Sequence, residues 1–432
     1  MITYIMIAFF VFLLAYSVAA APAPASTSIT LRVAHQARGI LTFAFDPSQD
    51  ASKSLQLLST TNAGRKPGWI HPRGDMLYSV SRTNFPDNSS KSGGVFAWGE
   101  TALSQVQSPL NLMSSTSSNG LGGVYCDISK DGRTLAAANI DGSTVSIYPL
   151  KSGVIGDPTF VFKYTIEKPG PGKDESQTQA YPHAASFDPS GKFLFVPDRG
   201  ADMVYVYQVD GPESVKHIHN ITVAAGTGPR HVTFSKVSIS RTFMYLVGEI
   251  DNTVTVFALD GVDNSACKSG ENGELRITHI QTASTLGPGA NRTAFVNEDL
   301  ASEVAVTNDG RFLYVSNRNT KSYDSDTLAV YAVHPSASAS ASSSSTNTTT
   351  GSGQQHLEFL ALNPTHGKIP RHFSLSPDAE NRFVAVGNQV SNDVTVLARN
   401  PKTGLVEGVV GNYTLGEFDE TTELGPMAVV WA

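Results

Sequence analysis

Two cysteines in 432 residues are too few for a disulfide framework. Cys126 sits in a strand-like run (VYCDIS) and Cys267 in a polar loop (DNSACKSG). An oxidising compartment would allow a bridge, but the repeat register below puts the two in different blades, and a chain of this size needs none. Positive charge is also short. Lys and Arg total 31 against 38 Asp and Glu, a net charge of -7. This argues against nucleic acid as a partner, because a phosphate footprint needs clustered basic residues. Long helical periodicity is missing throughout the mature chain. Zinc-ligand spacing of the H-E-x-x-H or Cys/His kind is absent, as is a G-x-S-x-G elbow. These absences remove the zinc hydrolases and the nucleophile-elbow hydrolases.

Only one long apolar stretch is present, Met6 to Val18, followed by Ala19, Ala20, Ala21 and Pro22. It is short for a spanning helix of about 20 residues and fits a secretory signal peptide over residues 1–21. The mature protein is therefore expected outside the cell, cleaved between Ala19 and Ala25, without a membrane partner. Sequons at Asn88, Asn220, Asn291, Asn347 and Asn412 agree with export.

Hydrophobic residues make up 40% of the chain, enough for a core. They recur in one pattern: an opening, an apolar strand, a turn, a second strand with a polar end, and an alternating strand. It reads YPHAASFDPSGKFLFVPDRGADMVYVYQV from Tyr181 and GPRHVTFSKVSISRTFMYLVGEIDNTVTVFAL from Gly228. Further copies start at Ala301 and Ile369, with weaker ones at Gly122 and Lys66. Starts lie roughly 50–70 residues apart, the upper range for propeller blades. GPMAVVWA at the C-terminus repeats an opening strand, and LRVAHQARGILTFAFD near the N-terminus supplies more strands for the same sheet. The expectation is an all-β, seven-bladed propeller over residues 28–432, a single domain closed by pairing its N- and C-terminal strands. A Ser/Thr-rich tract over 335–355 reads as a flexible surface loop.

Aligned copies place residues of one register at one height around the central channel. The opening position holds His183, Arg230 and Arg371, with Lys66, Val124 and Ser302 as counterparts. The end of the following strand holds Arg82, Ile140, Arg199, Glu249, Arg318 and Gln389. Antiparallel pairing brings both rings to the same mouth. Guanidinium forks gathered there suit a carboxylate or phosphate, and His183 is the group that titrates near neutrality. Strict alternation turns His231 and His372 away from the channel. His35 and His71 read as structural or exposed. Asp188, Asp309 and Asp378 read as turn residues satisfying local backbone. The site side chains are expected at the rim, outside the core.

The openings YPHAASF, GPRHVTF and IPRHF, with the strand ends VGE, SNR and GNQ, resemble the lactonase family, which includes 6-phosphogluconolactonase and the carboxymuconate-lactonising cycloisomerase. The resemblance spans nearly the whole chain after the leader. It implies a catalytic set of one His, two Arg and one Glu, matched here by His183, Arg230, Glu249 and Arg318. Gly248 stands where the family usually has Asn, and KVSISRT replaces a short turn ahead of Glu249. Arg199, Arg371, Arg82 and Gln389 share the register and are expected to touch substrate. The expected activity is metal-independent, cofactor-free hydrolysis of a sugar-type lactone. Lactonisation of a carboxymuconate-type acid and a non-catalytic binding propeller are the alternatives. The expected ligand is a small anionic lactone or acid, and the expected state a monomer.

Overall fold

The computed structural model describes residues 28–99, 108–167, 170, 175–238, 241–261, 275–290, 299–320, 324–335, 355–417 and 424–432. The proposed leader, most of the Ser/Thr tract, Cys267 and the sequons at Asn291 and Asn347 lie outside them. The described residues form strands without a helix, so none crosses a membrane as one.

Seven antiparallel sheets follow one another. Blade 1 is β4 to β7 (Arg65–Arg73, Met76–Thr83, Gly94–Gly99, Asn111–Ser117). Blade 2 is β8 to β12 (Gly123–Ile128, Thr134–Asn139, Thr144–Lys151, Val154–Ile155, Phe160–Lys163). Blade 3 is β13 to β16 (Ser186–Phe187, Phe193–Asp198, Met203–Gly211, Ser214–Thr222). Blade 4 is β17 to β20 (Pro229–Lys236, Arg241–Gly248, Thr253–Asp260, Arg276–Ser284). Blade 5 is β21 to β24 (Leu300–Val306, Phe312–Arg318, Thr327–Val333, Leu357–Pro364). Blade 6 is β25 to β28 (Pro370–Leu375, Phe383–Asn388, Asp393–Arg399, Val406–Thr414). Blade 7 joins β29 (Pro426–Trp431) to β1, β2 and β3 (Ile29–His35, Gly39–Phe45, Leu55–Thr61). Blade 2 departs from four strands because its outer edge is broken: β11 and β12 both pair with β10. Pro158, which has no N–H to give a ladder, lies between them.

The middle strands are buried on both faces, so they read as apolar runs such as FMYLV and FLYVS. The outer strands are largely exposed and face water. Clusters of buried side chains span neighbouring blades, as where Val254 and Val256 meet Leu313 and Val315. Cys126 is a free thiol buried in one such cluster. The inner strands of successive blades touch all the way round, except that blade 3 meets β17 through its second strand β14, and the contact of β29 with β4 closes the ring.

One irregularity recurs in every blade. Pro229 pairs with Gly248 but Val232 with Leu246, so Arg230 and His231 together oppose a single residue, Val247. Ser302 and Glu303 oppose Ser316. The same one-residue shift falls at Arg371, Gly68, Val124 and Met427, and between Pro182 and Ser186. A β-bulge suspends alternation locally. Each inner strand therefore presents two successive side chains where a regular strand would present one.

Candidate active site

The end of the second strand of blade 4 carries the strongest electrostatic feature. Glu249 follows β18, and its N–H donates to Gly228 O at 2.8 Å. Gly228 has φ +62, and a Cβ there would meet Ile250 Cγ1 at 2.6 Å, so the turn requires glycine. Three guanidinium groups converge on the Glu249 carboxylate. Arg230 Nε lies 3.0 Å from Oε2, Arg199 Nε 3.0 Å from Oε1, and Arg318 Nη2 3.4 Å from Oε1. Burial opposes ionisation of Glu249, but Arg199, Arg318 and Arg230 overcome it and hold the carboxyl well below the usual range.

Backbone carbonyls fix the arginines. Arg230 Nη1 donates to Ser302 O at 2.8 Å, and Arg318 donates from Nε to Leu300 O at 3.3 Å and from Nη2 to Ala301 O at 3.1 Å. Arg199 reaches the carbonyl and hydroxyl of Ser176. Burial, then the neighbouring Arg318, bring Arg230 down to about 10, and it remains a cation at neutral pH.

Arg371 differs. It opens blade 6 as Arg230 opens blade 4, but the blade 6 strand end is Gln389 instead of a carboxylate. Among the described residues its guanidinium has no ion-pair or hydrogen-bond partner. Burial and the cations Arg230, Arg318 and Arg82 push its pKa well down. The residue two places ahead of it, Ile369, sits at φ +58, where a β-branched side chain is strained. Asp326 and Gln389 hold that turn: Ile369 N–H donates to Asp326 Oδ2 at 2.6 Å, and Gln389 N–H donates to Ile369 O at 2.7 Å.

Next to the arginines lies a layer that alternation hid. His183 Nδ1 is 3.1 Å from His231 Nε2, and His231 Nδ1 is 2.9 Å from Glu303 Oε2. His372 Nε2 lies 3.5 Å from the same oxygen. Trp69 packs edge-on to both His231 and His372, at 5.3 and 4.7 Å between ring centres, and stacks at a tilt on Tyr125. Blades 1, 4 and 6 are not neighbours, so these rings meet across the channel. His183 is neutral near pH 7, because burial and then Arg230 push its pKa well below 6.5. Burial brings His372 down to about 4, against the pull of Glu303.

The expected residues thus divide. His183, Arg230, Glu249, Arg318 and Arg199 form one contiguous group through these contacts. Arg371 stands beside Arg230 and Arg318. Arg82 is held at 2.9 Å by Asp141, a partly exposed partner. Gln389 is buried at its strand end. Three expectations are corrected. The group is not at an exposed rim: Arg230, His183, Arg318 and Glu249 are only 1%, 3%, 6% and 7% exposed. His231 and His372 face the channel, because the bulge turns them inward. Lys66 is not in the opening ring; it shares the left-handed turn position of Gly228 and Ile369, and Gly68 occupies the ring place. His35 is structural, its Nε2 2.9 Å from Asn392 Oδ1. Asp188 accepts from the N–H groups of its own turn, as Asp309 and Asp378 do. Glu303, Trp69 and Tyr125 were missed. The available signal was two adjacent polar residues opening a buried strand: RH twice and SE once in one register.

Residues 26–418 match the family described as Lactonase, 7-bladed beta-propeller. A probable 6-phosphogluconolactonase of Arthroderma benhamiae is 29% identical over 379 residues, covering 87% of this chain and 83% of that protein. A 6-phosphogluconolactonase of Formosa agariphila is 24% identical over 85% of this chain and 90% of its own. The solved periplasmic gluconolactonase of Pseudomonas aeruginosa superposes with a TM-score of 0.70 at 25% identity, over 94% of this chain and 99% of that one. With the blades, the closure and these relatives together, the chain belongs to the seven-bladed β-propeller lactonase family.

Proposed function

We propose that this protein is a secreted hydrolase of sugar-type lactones, working without a metal in the Arg/His/Glu site of the channel. The observation that carries this is the neutral His183 beside an arginine cluster that Glu249 only partly neutralises. Ring opening needs a base for water, stabilisation of the carbonyl oxyanion, and a proton for the leaving alkoxide. His183 is the base and returns the proton. Arg230 and Arg318, already oriented by Glu249, stabilise the oxyanion. Glu249 is held ionised far into acid and so serves as an orienting anion instead of a proton donor. Arg371 receives an anionic group of the substrate. The apolar leader and the relative named a periplasmic gluconolactonase support a substrate met outside the cytosol, such as an aldonolactone. The alternative, lactonisation of a carboxymuconate-type acid, is a different reaction in which a carboxylate oxygen adds to a C=C bond and a proton goes to carbon; the same arginines would hold the acid's carboxylates.

The test is a screen of purified protein against phosphorylated and plain sugar lactones and muconates, with and without EDTA. We expect sugar-lactone hydrolysis that survives the chelator. His183→Ala should then lower kcat by about 100-fold or more, the loss expected for a general base. Because the His183 pKa is depressed, it stays unprotonated as pH falls through 6.5, and the rate should decline only below that value. A fully active His183→Ala variant would refute the assignment.

A further inference from the structure

The contacts behind His183 specify where its proton goes. Glu303 sits in the bulge of β21, His231 in the bulge of β17, and His183 opens blade 3, so three successive blades each contribute one member. All three side chains are buried. Glu303 Oε1 accepts from Val304 N–H at 3.0 Å. Its Oε2 meets His231 Nδ1 at 2.9 Å and His372 Nε2 at 3.5 Å. His372 Nδ1 accepts the Val429 N–H at 3.2 Å, so the His372 proton is on Nε2, facing Glu303. An ionised Glu303 can only accept, so His231 carries its proton on Nδ1. A neutral imidazole has one N–H, and therefore His231 Nε2 accepts from His183 Nδ1–H at 3.1 Å. His183 Nε2 is thereby left as a lone pair with no protein partner among the described residues.

Resting on the function above, we propose that Glu303, His231 and His183 form a proton relay, with Glu303 taking up a proton from His231 between the two chemical steps to offset the one that His183 takes from water. As a water O–H breaks and its oxygen bonds to the carbonyl carbon, the proton goes to His183 Nε2. The His183 Nδ1 proton passes to His231 Nε2, and the His231 Nδ1 proton passes to Glu303 Oε2. When the ring C–O bond breaks, the chain runs backwards and the alkoxide takes the proton from His183 Nε2. No proton is gained or lost, and neither imidazole remains cationic.

That last feature is what the surroundings require. Arg230, Arg371 and Arg318 all face these two rings; Glu249 is the opposing charge, and His231 and His183 face each other. Arg230 Nη1 lies 3.2 and 3.3 Å from the two nitrogens of His231, which places it over the ring face. An imidazolium among three guanidinium groups is disfavoured, whereas burial raises the proton affinity of Glu303. Charge and geometry favour the same destination.

Histidine ring 15N NMR of the full chain at neutral pH reads the tautomers without substrate, with His183→Gln and His231→Gln assigning the signals. Both residues are expected as Nδ1–H, and an Nε2–H His183 would overturn the relay. Glu303→Gln can still accept from His231 but cannot store a proton. With its unfolding temperature checked, it should lower kcat tenfold or more at unchanged KM. In mixed H2O/D2O the wild type should give a bowed proton inventory and the variant a linear one. Unchanged kcat with a bowed curve would overturn the proposal. A wild type inert on every lactone overturns the function and not the relay, which the tautomers decide.

Discussion

Arg230 and Arg371 open their blades with the same tripeptide, PRH, yet they stand in opposite electrostatic positions. Arg230 faces the Glu249 carboxylate, and both side chains are buried. Arg371 faces chiefly other cations, with the Glu249 charge a lesser, opposing influence. Arg230→Ala leaves Arg199 and Arg318 on the Glu249 carboxylate but removes the hydrogen bond to Ser302 O and a buried side chain, so it should destabilise the protein by about 1–3 kcal/mol. Removing an unpaired cation from among like charges should do the reverse. We expect Arg371→Ala to melt at the wild-type temperature or above it. We also expect its KM for an anionic lactone to rise about tenfold or more, the value of one charge-assisted hydrogen bond. Its KM for an uncharged lactone should stay as it was. Calorimetry and paired kinetics check this; equal losses on both substrates would show that Arg371 positions the site instead of binding charge.

At the scale of the strand, the bulge decides what was legible. The strand-end ring from Arg82 to Gln389 was readable because those residues end regular strands, where a turn glycine fixes the count. The inner strands were half readable. Their first inward residue, His183 or Arg230, follows from register, but the second follows only from a one-residue insertion, whose sole mark is a polar pair such as RH or SE at the opening of three buried strands. His231, Glu303, His372, Trp69 and Tyr125 were lost to that rule together. Lys66 was misplaced by two positions: Pro67 aligns with Pro229 and Pro370, and the ring place is the residue after that proline. In that blade Gly68 takes the ring position, and a Cβ there would lie 2.1 Å from Gly123 O in the next blade. Neither backbone can yield without moving its strand. Gly68→Ala should therefore cost about 1–3 kcal/mol, the usual penalty for overpacking. It should also disturb the near-UV signal of Trp69 beside it. Chemical denaturation with near-UV circular dichroism tests this, and an unchanged midpoint would show that β4 and β8 slide freely.

Across the whole molecule, the site exists only if the ring is closed, because its residues come from blades that touch one another through the channel. Closure depends on β29, which six complete blades separate in sequence from the first three strands of its own sheet. β1 pairs with β29 from Leu31–Trp431 to His35–Pro426. β29 also packs on β25 and on β4, and so joins blade 7 to both neighbours. Val429 N–H orients His372, and Trp431 Nε1 donates to Ser374 O at 3.1 Å. Deleting residues 426–432 would remove the inner strand of one blade. It would leave β1 as an unpaired edge bordering the channel, and such an edge is a template for association. It would also take away the wall against which the His372 and Trp69 layer rests. The loss is therefore cooperative: an open ring cannot keep blades 1 and 6 at the spacing that brings Trp69 to His372. We expect the truncated chain to aggregate or to unfold well below the intact protein, without hydrolytic activity. Light scattering and thermal unfolding of the two chains side by side decide it. A truncated chain with the wild-type melting temperature would mean that side-chain packing between blades holds the ring without its final strand.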